Sequence, residues 1–173
     1  MKQSIPWWYY ASLAILFCVF KALYAQASSA DLRVLLAPTN YLVELILGST
    51  AVFDPAAGFV HSTLRISIDK SCSGFNFWVL CWLMLSMATM QRRFRWPVLL
   101  VLPIVSYVLT LLINTSRILT AIFLRGVLPP AVQQYAWLHQ TEGALLYLFS
   151  LVLIYLGFIS ICSYFQARYA QPA

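Results

Sequence analysis

Charge is what this sequence has least of. Lys, Arg, Asp and Glu make up 9% of its 173 residues, against about a quarter in a soluble domain. Acidic residues number five and histidines two. They are scattered, with no ligand spacing, so no metal is expected, and no other cofactor either. The four cysteines show no paired spacing that would suggest a disulfide framework or a zinc site. There is no long basic run and no nucleic-acid motif, so no nucleic-acid partner is expected. Internal repeats and low-complexity segments are absent too. What fills the chain is apolar, at 62% hydrophobic residues. It reads as an integral membrane protein whose length allows one bundle, residues 1–173, rather than two domains.

A membrane-crossing helix needs about 20 mostly apolar residues. Four stretches qualify, at about 7–25, 72–90, 97–114 and 143–165. The first could instead be a signal peptide, with Lys2 as its basic start and Ala25-Gln26-Ala27 as a cleavage site. Lys21 interrupts the run too late for an ordinary signal, which favours a retained helix. The third helix could continue to Leu124. Between the third and fourth spans, "RGVLPPAVQQYAWLHQTE" reads as a loop, broken by Gly126 and Pro129-Pro130.

Residues 28–70 are mixed. "DLRVLLAPTNYLVELILGST" is apolar but carries Asp31, Arg33, Pro38 and Glu44, and charge is costly at a bilayer centre. It reads as interfacial helices or a shallow re-entrant hairpin, the second piece capped by Thr39 or Asn40. "STLRISID" alternates apolar and polar residues and reads as a short strand or extended arm. The fold expected is therefore all-α: four transmembrane helices, with an interfacial region on the outer face between the first and second.

The short loop "QRRFR" carries Arg92, Arg93 and Arg95 and no acid, and such loops face the cytoplasm. Both termini then lie inside, where Lys2 and Arg168 agree. All five acids, Asp31, Glu44, Asp54, Asp69 and Glu142, fall outside.

Helical rise then sets depth. Cys72 lies 19 residues before Gln91 and Arg117 lies 20 after Pro97, each about 30 Å at 1.5 Å per residue. His139 comes four residues before the fourth span. All three reach the outer membrane boundary. Cys72 could be merely a small residue at a helix start. Its place at a helix N-terminus beside Lys70 instead favours a thiolate. Ser71 or Ser73 could cap that helix, and Gly74 would let another chain approach closely. Arg117 could be an interfacial anchor, a role that suits Arg125 better. Asn114 shares its helix face and could hold its guanidinium. His139 could be an ordinary loop residue; Glu142, three on, could orient its ring. His61, in no polar cluster, is set aside. Together, a thiol nucleophile, an acid–base imidazole and a cation for the oxyanion describe acyl transfer from a peptide or ester. Two alternatives stay open. One is a non-catalytic scaffold or lipid-binding subunit of an envelope or exopolysaccharide system, with Arg117 on a phosphate. The other is a thiol acyltransferase acting on lipid.

"SCSGFNF" at Cys72, "NTSR" ending at Arg117 and "HQTEG" at His139, in that order, resemble the exosortase/archaeosortase family, and the short length resembles its exosortase K branch. The resemblance covers about residues 40–165. It implies a membrane cysteine protease or transpeptidase. Cys72 would be the nucleophile, Arg117 the transition-state stabiliser and His139 the acid/base. The implied partners are membrane lipids and exported proteins ending in a short motif, a transmembrane helix and a basic tail. The implied place is the bacterial inner membrane, with the site facing outward. Larger family members carry more spans.

Overall fold

A computed structural model of the chain describes residues 7–92, 96–129 and 136–169. In order they form α1 (Trp7–Gln26), α2 (Arg33–Leu47), β1 (Val52–Asp54), β2 (Gly58–His61), β3 (Ile66–Ile68), a 3-10 turn (Lys70–Cys72), α3 (Phe75–Gln91), α4 (Trp96–Val127) and α5 (Ala136–Tyr169). Four helices are long and apolar enough to cross a membrane: Trp7–Gln26, Lys70–Gln91, Val98–Val127 and Thr141–Phe165. The protein is thus the all-α membrane bundle that its composition demands. Arg93, Arg95, Lys2 and the side chain of His139 lie outside what the structure describes.

α3 is the most enclosed span. Phe77, Cys81 and Leu85 form its buried face with Leu102 of α4, and Tyr147, Leu151, Ile154 and Phe158 of α5 pack over them. α1 joins the same end of the bundle through its last turns. Lys21 Nζ donates to Asn76 Oδ1 (2.7 Å), and the Tyr24 ring stacks on Phe75 at 4.5 Å. At the opposite end, Arg92 Nη1 donates to Ser163 Oγ (2.8 Å) and ties α3 to α5. The start of α1 and the end of α5 therefore share the end of the bundle at which α3 ends and α4 begins.

α4 has 32 residues, about 48 Å at 1.5 Å per residue. That exceeds a hydrocarbon core of about 30 Å, so its last turns rise above the bundle as a post. Its helix reaches Val127, past the expected Leu124, and α5 begins at Ala136. The loop expected from Arg125 to Glu142 is correspondingly shorter. Apolar Ala136, Trp137 and Leu138 already continue into the helical run that follows, so His139 and Glu142 stand on a helix and not in a loop.

The region between the first two spans is a small layer against that post. α2 is one helix, not two pieces or a hairpin, and Thr39 and Asn40 are buried in its middle. Pro38 lacks the N–H that would bond Val34 O. Tyr107 Oη of α4 donates to that carbonyl at 3.4 Å, so the helix survives its proline. The strands form an antiparallel sheet in the order β1-β2-β3, with Val60 opposite Ser67. "STLRISID" thus does supply a strand, with Ile66 and Ile68 packed inward. Leu36, Val43, Ile68 and Ile118 fill the space between sheet, α2 and α4.

His61 also belongs to a polar cluster, contrary to expectation. It is fully buried, bonded by Nε2 to Asn40 Oδ1 (2.8 Å) and by Nδ1 to Ser49 Oγ (3.1 Å). Asn40 and Ser49 are distant along the chain, so only folding brings them to it. The ring pins the sheet to α2 and does not face the cavity described next.

Candidate active site

Asp69 opens the 3-10 turn, its side chain accepting from Ser71 N (2.9 Å). Ser71 Oγ donates to the same carboxylate oxygen (2.6 Å) and lies 3.8 Å from Cys72 Sγ. Cys72 ends the turn, and Gly74 takes a left-handed conformation (φ 69°) to start α3. A side chain there would be strained in its backbone. Its Cβ would also sit 2.9 Å from Thr110 Cγ2 and 3.1 Å from Asn114 Cγ. The close neighbour that Gly74 admits is α4 of the same chain. No serine side chain caps α3 at Gly74; Ser73 Oγ accepts from Phe75 N at a long 3.4 Å and pairs with Tyr24 Oη (3.1 Å).

Lys70 does not turn its ammonium to the thiol. Nζ donates to Ala25 O (3.0 Å) and Ala27 O (2.7 Å), with the Tyr24 ring 5.0 Å away. A cation at free carbonyls beyond a helix C-terminus is favourable, and here it fixes α1 to the Cys72 turn. Tyr24 Oη adds a bond to Lys70 O (2.8 Å).

Asn114 is fully buried and its amide is used twice. Nδ2 donates to Cys72 O (2.6 Å), and Oδ1 accepts from Tyr147 Oη (2.6 Å). The Tyr147 oxygen in turn receives Arg117 Nη1 at a long 3.5 Å, and the guanidinium stands 5.3 Å from the ring centroid. Asn114 was expected to grip Arg117 directly. It grips the Cys72 backbone instead, and its link to Arg117 runs through Tyr147. Arg117 itself lies along α5 at Gly143, where a Cβ would stand 2.5 Å from its Nε. That Nε is buried and has no hydrogen-bond partner among the described residues. Tyr147 and Gly143 are thus parts of the site that residue-by-residue reasoning passed over. The signal was present: His139, Gly143 and Tyr147 are spaced by four and share a helix face. His139 therefore stands one turn above the glycine against which Arg117 packs. Glu142 stands on the same turn.

Cys72 and Arg117 line one cavity of about 190 Å³. One wall is the strand segment Arg65, Ile66, Ser67 and Ile68. The other is the post of α4, through Ile118, Ala121, Ile122 and Arg125. Cys72 is half-buried, while Cys81 and Cys162 are buried.

Four spanning helices with a half-buried thiol and a guanidinium facing one cavity at one end of the bundle define an integral membrane protein with a polar site at the bundle's mouth. The profile of the transmembrane exosortases matches residues 5–156, most of the chain, and the protein belongs to that family. No curated protein and no solved structure gives a match.

Proposed function

We propose that the protein is a cysteine endopeptidase or transpeptidase that cleaves C-terminal sorting signals of exported proteins at the outer face of the inner membrane. The observation that carries this is the shared cavity of Cys72 and Arg117, at the bundle mouth where His139 also stands on α5. A substrate anchored by one C-terminal helix presents its membrane-proximal peptide at this depth. The Cys72 thiolate attacks the scissile carbonyl, forming an S–C bond, and Arg117 stabilises the oxyanion. His139 gives a proton to the leaving amine as the C–N bond breaks. An acceptor amine or water then attacks the thioester, its proton goes to His139, and the thiolate is restored. Membrane lipid surrounds the substrate helix throughout.

The test replaces the chromosomal copy with Cys72→Ala or Cys72→Ser, at matched membrane levels. Proteins ending in an apolar helix and a basic tail should accumulate at full length, read by C-terminal peptide mapping of the membrane fraction. Continued processing in Cys72→Ala would overturn the proposal and favour a non-catalytic module.

A further inference from the structure

The turn that carries Cys72 is held from two sides, and the hold from α1 bears on how the thiol is aimed, an inference that rests on the catalytic reading above. Asn114 of α4 takes the carbonyl of Cys72 itself (2.6 Å). From the other side a single hydroxyl brackets the residue. Tyr24 Oη donates to the carbonyl of Lys70 (2.8 Å), which precedes Cys72 in the turn, and pairs with Ser73 Oγ (3.1 Å), which follows it. The Tyr24 ring is stacked on Phe75 at 4.5 Å with 3° between the planes, which fixes where that oxygen lies.

Packing alone leaves the turn room to shift. A second cavity, of about 30 Å³, lies behind it between Tyr24, Ser71, Ser73, Phe77 and Tyr147. A turn released by the hydroxyl has that space to move into, and its thiol moves with it. Burial does not seat α1 either: of its residues only Tyr9, in the first turn, is buried. Helices in lipid gain no hydrophobic drive toward one another, so close contacts and polar bonds must seat them. The polar bonds that seat α1 lie at its last turns, where Lys21 reaches Asn76 (2.7 Å) and Lys70 reaches Ala25 and Ala27. We propose that Tyr24 is a positioning residue for the Cys72 nucleophile: its hydroxyl, carried on α1, holds the turn so that the thiol faces the cavity it shares with Arg117. Tyr24 does not line that cavity, so it acts through the turn and not on the substrate.

The experiment compares two reactions of the same thiolate, using the full chain in phosphatidylcholine vesicles. With p-nitrophenyl acetate the Cys72 thiolate attacks the ester carbonyl, an S–C bond forms, and p-nitrophenolate leaves with the electron pair of the broken C–O bond. With chloroacetamide the thiolate displaces chloride at a saturated carbon, and no oxyanion develops. Peptide mapping reads both adducts at Cys72. The thiolate fraction cancels in the ratio of acetylation to alkylation, so the ratio reads how the thiol is aimed relative to the oxyanion site. Arg117→Gln should lower the ratio by about 100-fold, the scale of one oxyanion donor. Tyr24→Phe keeps the ring on Phe75 and should lower it at least about tenfold with Arg117 untouched, the scale of a small misplacement. Ser73→Ala should lower it in part, and Tyr24→Phe/Ser73→Ala no further than Tyr24→Phe alone, because both remove one bridge. Phe20→Leu, which trims the ring contact of α1 with Trp82, should leave it unchanged. A wild-type ratio in Tyr24→Phe overturns the inference, as do losses that add in the double variant or an equal fall in Phe20→Leu, which would reduce the role of α1 to packing. A ratio indifferent to Arg117→Gln sinks the catalytic reading and this inference with it, whereas a fall in Arg117→Gln alone sinks only the inference, so the two failures are told apart.

Discussion

Asn114 and Tyr147 hold Cys72 by its backbone carbonyl, not by its sulfur. Arg117 is placed by space as much as by bonding: the missing side chain of Gly143 leaves room for its Nε against α5. Gly143→Ala should push the guanidinium aside while sparing the fold, because the far part of a long side chain yields easily. A displacement near 1 Å costs on the order of 100-fold in rate. We expect processing of a tail-anchored substrate to fall by about tenfold to 100-fold, with a thermal midpoint close to wild type. A matching drop in both would mean that Gly143 matters only for packing. The candidate residues were legible one by one, since a polar side chain at the end of an apolar run stands out. Their partners were not. The acceptor for Asn114 is a backbone carbonyl, which every residue carries and no sequence marks.

Elements differ in how far local chemistry decides them. α3, α4 and α5 follow from apolar runs, because a chain in lipid must satisfy its backbone internally. α2 does not follow so simply. Its Pro38 argued for a break, and a tyrosine from a distant helix repairs it. The sheet layer is held to α2 by the buried His61. Burial pushes its imidazole below the ordinary 6.5, against a weaker upward pull from Glu44. The folded protein thus holds His61 neutral where the unfolded chain would take a proton. Its contribution is full above about pH 6.5 and is lost as pH falls from there through the folded value. Thermal midpoints of the wild type should therefore decline on the acid side of that point, and His61→Gln should flatten the decline. An identical acid limb in both proteins would place the titrating group elsewhere.

For the whole molecule, one end of the bundle gathers Cys72, Arg117, α2 and the sheet, and the other gathers the end of α3 and the start of α4 with the start of α1 and the end of α5. The Arg-rich sequence "QRRFR" between α3 and α4 predicts which end faces the cytoplasm. A membrane-impermeant thiol reagent should therefore label Cys72 in intact right-side-out vesicles. Labelling should be lost in inverted vesicles, and a tag after residue 173 should be protected in the first and exposed in the second. Labelling of Cys72 only in inverted vesicles would reverse the topology and remove exported proteins as substrates.

The sequence by itself determined the membrane class and the four apolar spans, because hydropathy and a fixed helical rise act locally along the chain. Tertiary structure alone decided which polar groups meet. It turned Lys70 to the end of α1, routed Asn114 to Arg117 through Tyr147, and enclosed His61 between α2 and the sheet. It also set β3 and the α4 post on either side of Cys72. The physical reason is that a side chain's partner is chosen by packing between segments far apart in sequence. Burial then makes an unmet hydrogen bond too costly to leave open.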